Sequence, residues 1–374
     1  MKSSLLCQSC QKEYPSSEPR WNCTCGGLLT LDFHARFPLQ KIKKRKPTLW
    51  RYREALPVEH DQQIVSFDEG FTPLVEEVLF GKKVLLKQEH LFQSGSYKDR
   101  GASVLVSKIK QLGIKKVVED SSGNAGAAIA AYCAKASIEC HIYVPEKTSP
   151  EKLSQIEQYG ACVHKIQGSR EDTAQATWEQ AQTTYYASHY WNPYFFHGTK
   201  TCIFEIVEQL GWKSPEFLIV PVGNGTLLYG SYIGLKELQK EDIIDKLPRI
   251  IGVQAENCAP LAYAWKNHGK LPSFKIPKKT IAEGIAIRNP VRAKDILRSV
   301  KETHGDIITV TEKEIHEALF YTRRKGYYIE PTSAVAVAGF KKLNIRVNDC
   351  AIIPLTGHGL KTKKFFDKKF KSTL

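Results

Sequence analysis

The chain has 374 residues, enough for two or three domains, and its 42% hydrophobic and 25% charged residues match an ordinary globular protein with a substantial core. No apolar run is long enough to span a bilayer, and the start "MKSSLLCQSC" lacks the apolar core of a signal peptide, so no membrane association and a cytoplasmic location are expected. The net charge of +15 is partly local, in "KIKKRK" (41–46) and "KTKKFFDKKFKSTL" (361–374). Such blocks read either as nucleic-acid contacts or as a solvated linker and tail. No recognised nucleic-acid module accompanies them, so nucleic acid is not an expected partner. A positive surface also gathers anionic substrates.

The first segment is "CQSCQKEYPSSEPRWNCTCGG". Cys7 and Cys10 form a C-x2-C knuckle; Cys23 and Cys25 form a C-x-C pair, one residue shorter than usual, followed by Gly26-Gly27. Two chelating thiolate pairs suit tetrahedral zinc, and four protein ligands would close the site, making it structural. The alternative is four reduced, unbound cysteines. The remaining cysteines of the ten are Cys133, Cys140, Cys162, Cys202, Cys258 and Cys350; they are scattered and mostly lie in apolar segments. They do not form a disulfide framework, which fits a reducing compartment.

From residue 83 strands and helices alternate. Strands are predicted at 83–88, 116–120, 139–144, 161–166, 184–188, 216–222, 249–255, 306–310 and 350–355. Helices are predicted at 98–111, 124–136, 150–159, 170–183, 199–210, 226–240, near 259–267, and at 291–301, 311–325 and 332–343. Repeated βα units predict an α/β fold with mostly parallel sheets. Ligands in such folds sit beyond the carboxyl ends of the strands, so the strand-end loops are where chemistry is expected.

Four such loops stand out. In "FQSGSYKDRGASVL" (92–105), Lys98 follows a Gly-Ser turn and opens a helix. The positive end of the helix dipole disfavours an ammonium there, which suits an amine nucleophile; the local alternative is a surface lysine in a helix cap. In "PVGNGTL" (221–227), Gly223 and Gly225 permit close backbone approach at a helix start, an anion cradle sized for phosphate or simply a tight βα turn. It lacks the Gly-Lys-Ser/Thr of a Walker loop. In "SSGNAG" (121–126), Ser121, Ser122 and Asn124 form either a capping cluster or a second anion pocket, sized for a carboxylate. "TGHGLK" (356–361) follows the last strand. Two anion pockets and one special lysine imply a phosphorylated carbonyl cofactor and an amino acid.

These motifs resemble the fold type II pyridoxal-phosphate enzymes, the tryptophan synthase β family, and among them the threonine synthases most. "SGSYKDRG" (94–101) resembles the family's Schiff-base lysine segment. "EGFTPL" (69–74), "EPTSA" (330–334), "LTGHGLK" (355–361) and the N-terminal cysteine ribbon occur in the family's order over nearly the whole chain. The resemblance implies two doubly wound open-sheet α/β domains with pyridoxal 5'-phosphate in the cleft between them, plus a small zinc-ribbon-like module. The expected boundaries are 1–35 for the module, 36–85 with 186–374 for the large domain, and 86–185 for the small one.

It also implies roles. Lys98 would carry the cofactor and shuttle protons; Asn124 would bond the pyridine 3-oxygen. Gly223, Asn224, Gly225, Thr226 and Leu227 would hold the phosphate, and Thr356 would stand beside the ring nitrogen. Ser96, Ser121, Ser122, Gly123, Asn192 and Lys200 would meet the substrate. The implied reaction converts O-phosphohomoserine and water to threonine and phosphate, in a homodimer. The sequence departs from the family where that phosphate would bind. Ala125 follows the Asn of the asparagine loop in place of Thr, and Tyr194, Phe195, Phe196 and His197 stand between Asn192-Pro193 and Gly198-x-Lys200-Thr201 with no Arg. His189, His197 and Lys200 are the cations that could replace it. The competing readings are a threonine/serine dehydratase, a β-replacing enzyme such as a cysteate synthase and, more remotely, a non-catalytic basic nucleic-acid-binding protein.

Overall fold

The computed structural model describes residues 3–272 and 278–361, so nearly all of the basic tail lies outside the described residues. In chain order the first elements are β1 (Ser4–Cys7), β2 (Glu13–Pro15), β3 (Leu29–Asp32), α1 (Leu39–Lys44), β4 (Leu74–Leu79), β5 (Lys82–Lys87), α2 (Lys98–Gln111), β6 (Lys116–Glu119), α3 (Asn124–Ala136) and β7 (Glu139–Pro145). Then come α4 (Pro150–Gln158), β8 (Cys162–Ile166), α5 (Arg170–Gln180), β9 (Tyr185–Tyr186), α6 (Pro193–Thr199), α7 (Thr201–Gln209), β10 (Phe217–Pro221) and α8 (Thr226–Lys240). The last are β11 (Arg249–Ala255), α9 (Pro260–Lys266), α10 (Ala293–Glu302), β12 (Asp306–Val310), α11 (Glu312–Arg324), α12 (Pro331–Lys342) and β13 (Ala351–Pro354).

The fold is α/β with mixed sheets. Among the described residues there is an antiparallel sheet β2-β1-β3 and a parallel sheet β8-β7-β6-β9. A third sheet runs β12-β11-β10-β13-β5-β4, parallel except for the β4–β5 pair. Its central strands "FLIVP" and "AIIP" are buried at every residue, as parallel strands covered on both faces must be. Edge strand β4, "LVEEVL", buries only Leu79 and carries two glutamates, a composition that discourages further pairing.

Contacts divide the chain into two units. The first comprises Met1–Phe71, Phe92–Glu208 and Tyr229–Asp245; the second comprises Thr72–Leu91, Gln209–Leu228 and Lys246–Leu374. These cuts differ from the expected boundaries: segments 36–71, 186–208 and 229–245 fall in the first unit, and so does the cysteine module.

In the first unit, Leu5, Tyr14, Trp21 and Leu29 share one apolar cluster with Leu105, Val117 and Ile142. Trp21 meets Trp178 and Trp191 edge-on at 4.8 and 5.9 Å, and its indole N–H donates to the Ala181 carbonyl at 3.3 Å. The module is therefore docked on α5. The basic stretch 41–46 is not a bare linker. Its first part lies in α1, where Ile42 is buried. Arg45 forms a two-pronged pair with Glu54 at 2.6 Å, and Lys46 meets Asp68 at 2.6 Å. In the second unit α12 is buried from Pro331 to Phe340, and it packs on β10 and β11.

Candidate active site

Lys98 is the first residue of α2. The turn before it is held by Gly95, at φ 80°, and by Asp99. The Asp99 carboxylate accepts from the Ser94 N–H at 2.8 Å and from the Ser94 hydroxyl. Arg100, fully buried, reaches the other way: its guanidinium grips Glu205 of α7 with two hydrogen bonds of 2.6 and 2.7 Å. Glycines let the next helix close in. A Cβ on Gly101 would lie 2.3 Å from the Phe195 ring, and one on Gly198 would lie 2.1 Å from the Arg100 carbonyl oxygen. The half-buried Lys98 amine sits 4.8 Å from the centre of the Tyr97 ring and 5.6 Å from that of Phe195. The hydroxyl of Ser96, two residues earlier, is buried without a hydrogen-bond partner.

β6 ends at Glu119, and Ser121, Ser122 and Gly123 lead into α3, which opens on Asn124. Gly123 stands as N-cap of α3, with no side-chain cap, and its N–H donates to the Ser121 hydroxyl at 3.3 Å. A Cβ on Gly126 would lie 1.8 Å from the Ser121 carbonyl oxygen, so only glycine lets the loop fold back on the helix.

Asn192 and Lys200, the other two residues expected to meet the substrate, are both buried and hydrogen-bonded to protein groups. Asn192 is fully buried and caps α6: its Oδ1 accepts from the Tyr194 N–H at 3.2 Å, and its Nδ2 donates to the Tyr185 hydroxyl at 2.8 Å. Lys200 is also fully buried. Its ammonium donates to Glu237 at 2.7 Å and lies 2.8 Å from His197 Nδ1, among the Phe33 and Phe204 rings. Burial pushes the Lys200 amine down, Glu237 opposing, and burial pushes His197 down as well. His189 is bound to Glu119 at 2.7 Å. Burial, then the charge of Lys98, pushes His189 down; burial, then the charge of Asp120, holds the Glu119 carboxyl well above its usual range.

In the second unit the turn after β10 carries Gly223, Asn224 and Gly225, and α8 opens on Thr226 and Leu227. Gly225 has φ 73°, and a Cβ there would lie 2.3 Å from Ile296 Cδ1. Thr356 follows β13 and is buried. Its hydroxyl donates to Glu330 at 2.9 Å and lies 2.9 Å from the Ser333 hydroxyl, which accepts from the Gly357 N–H at 3.2 Å. Sequence reasoning singled out Thr356 but missed the carboxylate behind it. The signal was the first residue of "EPTSA" (330–334).

The four N-terminal thiols converge: their sulfurs all lie within 4.8 Å of one another, with Cys7 and Cys25 at 3.6 Å and Cys10 and Cys23 at 3.5 Å. Amides of Ser9 and Cys10 point at the Cys7 sulfur at 3.4 and 3.5 Å.

A family model described as "Pyridoxal-phosphate dependent enzyme" matches residues 65–357. The chain belongs to that family. It is 37% identical to a threonine synthase of Methanocaldococcus jannaschii over 373 residues, covering 95% of this chain and 92% of the relative. It is 35% identical to a threonine synthase of Methanosarcina acetivorans, covering 96% of this chain and 92% of the relative. Among solved structures it is similar to a threonine deaminase of T.th. (TM-score 0.64, 26% identical, covering 77% of this chain and 92% of that one). It is also similar to a serine racemase of Dictyostelium discoideum (TM-score 0.65, 27% identical, covering 84% and 99%).

The residues present fit the family's cofactor. The turn at Gly223–Gly225 packs too closely on Ile296 to admit a side chain at Gly225, and it stands at the positive end of the 15-residue α8, where a phosphate is favoured. The half-buried Lys98 amine and the unpartnered Ser96 hydroxyl lie within three residues on the turn that opens α2. Both anchors of that turn, Asp99 and Arg100, are buried and paired, so Lys98 is held on a rigid base.

Proposed function

We propose that this chain is a threonine synthase-type lyase, converting O-phosphohomoserine and water to threonine and phosphate. The observation that carries the reading is the 37% identity to a threonine synthase along 95% of this chain. Pyridoxal phosphate, when bound, supplies an electron sink for a carbanion at the amino acid's α-carbon. Lys98 carries the cofactor and moves the proton at that carbon. Asn124 orients the 3-oxygen, Gly223 to Leu227 take the phosphate, and Thr356 meets the ring nitrogen. Ser121, Ser122 and the amides that open α3 receive the substrate carboxylate, and Ser96 offers a hydroxyl close to Lys98. The proposal includes a cytoplasmic homodimer. The ten cysteines, none of them in a disulfide, suit a reducing compartment.

The phosphate-bearing end is where a second reading has support. Lys200 is held by Glu237, Asn192 by the α6 cap, and His189 by Glu119. A dehydratase acting on serine or threonine needs no such cations. The experiment is a substrate panel read two ways: phosphate release from O-phosphohomoserine, and 2-oxo acid from serine and threonine. Threonine formation with phosphate release is expected. Oxo-acid formation alone decides for the dehydratase.

The placement of Lys200 gives its own prediction. Lys200→Gln should lower stability to urea, because it leaves the half-buried Glu237 without its cation, at a cost of about 1–3 kcal/mol. KM for O-phosphohomoserine should stay within about threefold, a change of under ~1 kcal/mol in uniform binding. A large rise in KM with unchanged stability would return Lys200 to the substrate.

We also propose that the four N-terminal thiols hold one structural zinc ion. The converging sulfurs and the amides directed at Cys7 support it. Metal analysis of protein purified without added metal should give about one zinc per chain. Cys10→Ser should lose the metal and loosen the docked Trp21. A folded, reduced sample free of zinc would overturn the assignment.

A further inference from the structure

We propose that Glu119, Asp120 and His189 form a second metal site, at the carboxyl end of β6, that takes a divalent cation bound through oxygen and imidazole donors. The three residues each present a donor atom, and these atoms lie within 4.8 Å of one another. All three are at least nine-tenths buried, with exposures of 0%, 7% and 5%. Burial alone would make an ion pair or a core hydrogen bond. The decisive feature is what is left over. Glu119 Oε2 and Asp120 Oδ1 are buried and have no hydrogen-bond partner. Two adjacent carboxylates each leave one oxygen open, while the other oxygen of each is fixed.

The Asp120 contact is of the kind a metal site uses to aim a ligand: Asp120 Oδ2 accepts from the Tyr190 hydroxyl at 2.6 Å. Glu119 Oε1 meets His189 Nδ1 at 2.7 Å, and the ion would take that nitrogen and replace this contact. Tyr190 is itself braced, its hydroxyl lying 3.2 Å from that of Tyr186. Two carboxylates and one imidazole are a hard-to-borderline donor set, matched to manganese and its neighbours rather than to the soft-ligand ions that four thiolates select. The site is chemically distinct from the N-terminal cysteine cluster.

The test uses the full-length holoenzyme and manganese(II), whose free ion is counted by electron paramagnetic resonance. Thiolates compete poorly for this ion, so the cysteine cluster should not mask the result. About one manganese ion per chain is expected, with affinity lowered by more than about tenfold in Glu119→Gln and in Asp120→Asn. Cys10→Ser should leave manganese binding unchanged. No bound manganese at millimolar concentration, or equal binding in the Glu119→Gln/Asp120→Asn variant, overturns the site. Should those variants fail to fold, the wild-type protein alone decides. Pulsed resonance of bound manganese should show coupling to one imidazole nitrogen, and its absence overturns the assignment.

Discussion

Lys98→Ala should lose the visible absorption of the bound cofactor and nearly all turnover, while its far-ultraviolet circular dichroism stays that of the wild type. The expected fall in kcat is at least the roughly 10²–10⁴-fold that a positioned proton-transfer group contributes, and more because the same amine carries the cofactor. The fold should survive. The Lys98 side chain is half-buried, and the turn around it is held by Asp99 and Arg100. Borohydride reduction of the wild type should leave the cofactor on the peptide containing Lys98, and the variant should not be labelled there. An unchanged spectrum in Lys98→Ala, or label on another lysine, would remove Lys98 from this role and with it the reading of the loop.

Much of this was legible because the informative signals are local. The helices expected at 98–111, 124–136 and 226–240 coincide with α2, α3 and α8. Each follows a glycine-containing turn that ends a buried strand or loop, and such a turn fixes a helix start within a few residues. α6 was missed for a physical reason. All seven of its residues, "PYFFHGT", are buried, so no polar face marks a helical period. Its start was nevertheless written in Asn192-Pro193, a capping side chain followed by proline at the first helical position. β4 escaped because a strand with one buried residue lacks the apolar alternation that announces a strand.

Pairing across long sequence distances was not legible. Lys200 read as a cation near a substrate, yet its partner Glu237 is 37 residues away on α8. Glu119 and Asp120 read as the polar end of a strand, and only the fold brings His189 against them. The net charge counts cations; it does not say which are already answered. The "KIKKRK" stretch is an instance, since its Arg45 and Lys46 are matched by Glu54 and Asp68.

The Arg100–Glu205 pair carries the largest expected effect on stability. Both side chains have 0% exposure, and the pair is bidentate, with a further bond from Arg100 to the Thr201 hydroxyl at 3.0 Å. Removing one partner leaves the other charge without compensation in a dry interior, at a cost of about 3–5 kcal/mol. Removing both with apolar groups of similar size avoids that cost. Arg100→Met should therefore lower the urea midpoint sharply, and so should Glu205→Leu, whereas Arg100→Met/Glu205→Leu should recover most of the loss. Four of the six tryptophans, Trp21, Trp50, Trp178 and Trp191, lie in the same unit as the pair, so tryptophan fluorescence is weighted towards the relevant transition. Additive losses in the double variant would show that the two side chains act separately. The pair also bears on chemistry without touching it. Arg100 ties the start of α2 to α7, as Asp99 ties it to the Ser94 turn, and Lys98 stands one residue before that double anchor. The double variant should thus fold well yet hold pyridoxal phosphate less firmly, because an apolar contact replaces two directed hydrogen bonds with a non-directional one. Cofactor release during dialysis, read by absorbance, separates this positioning role from stability alone: wild-type retention in the refolded double variant would confine the pair to holding the fold.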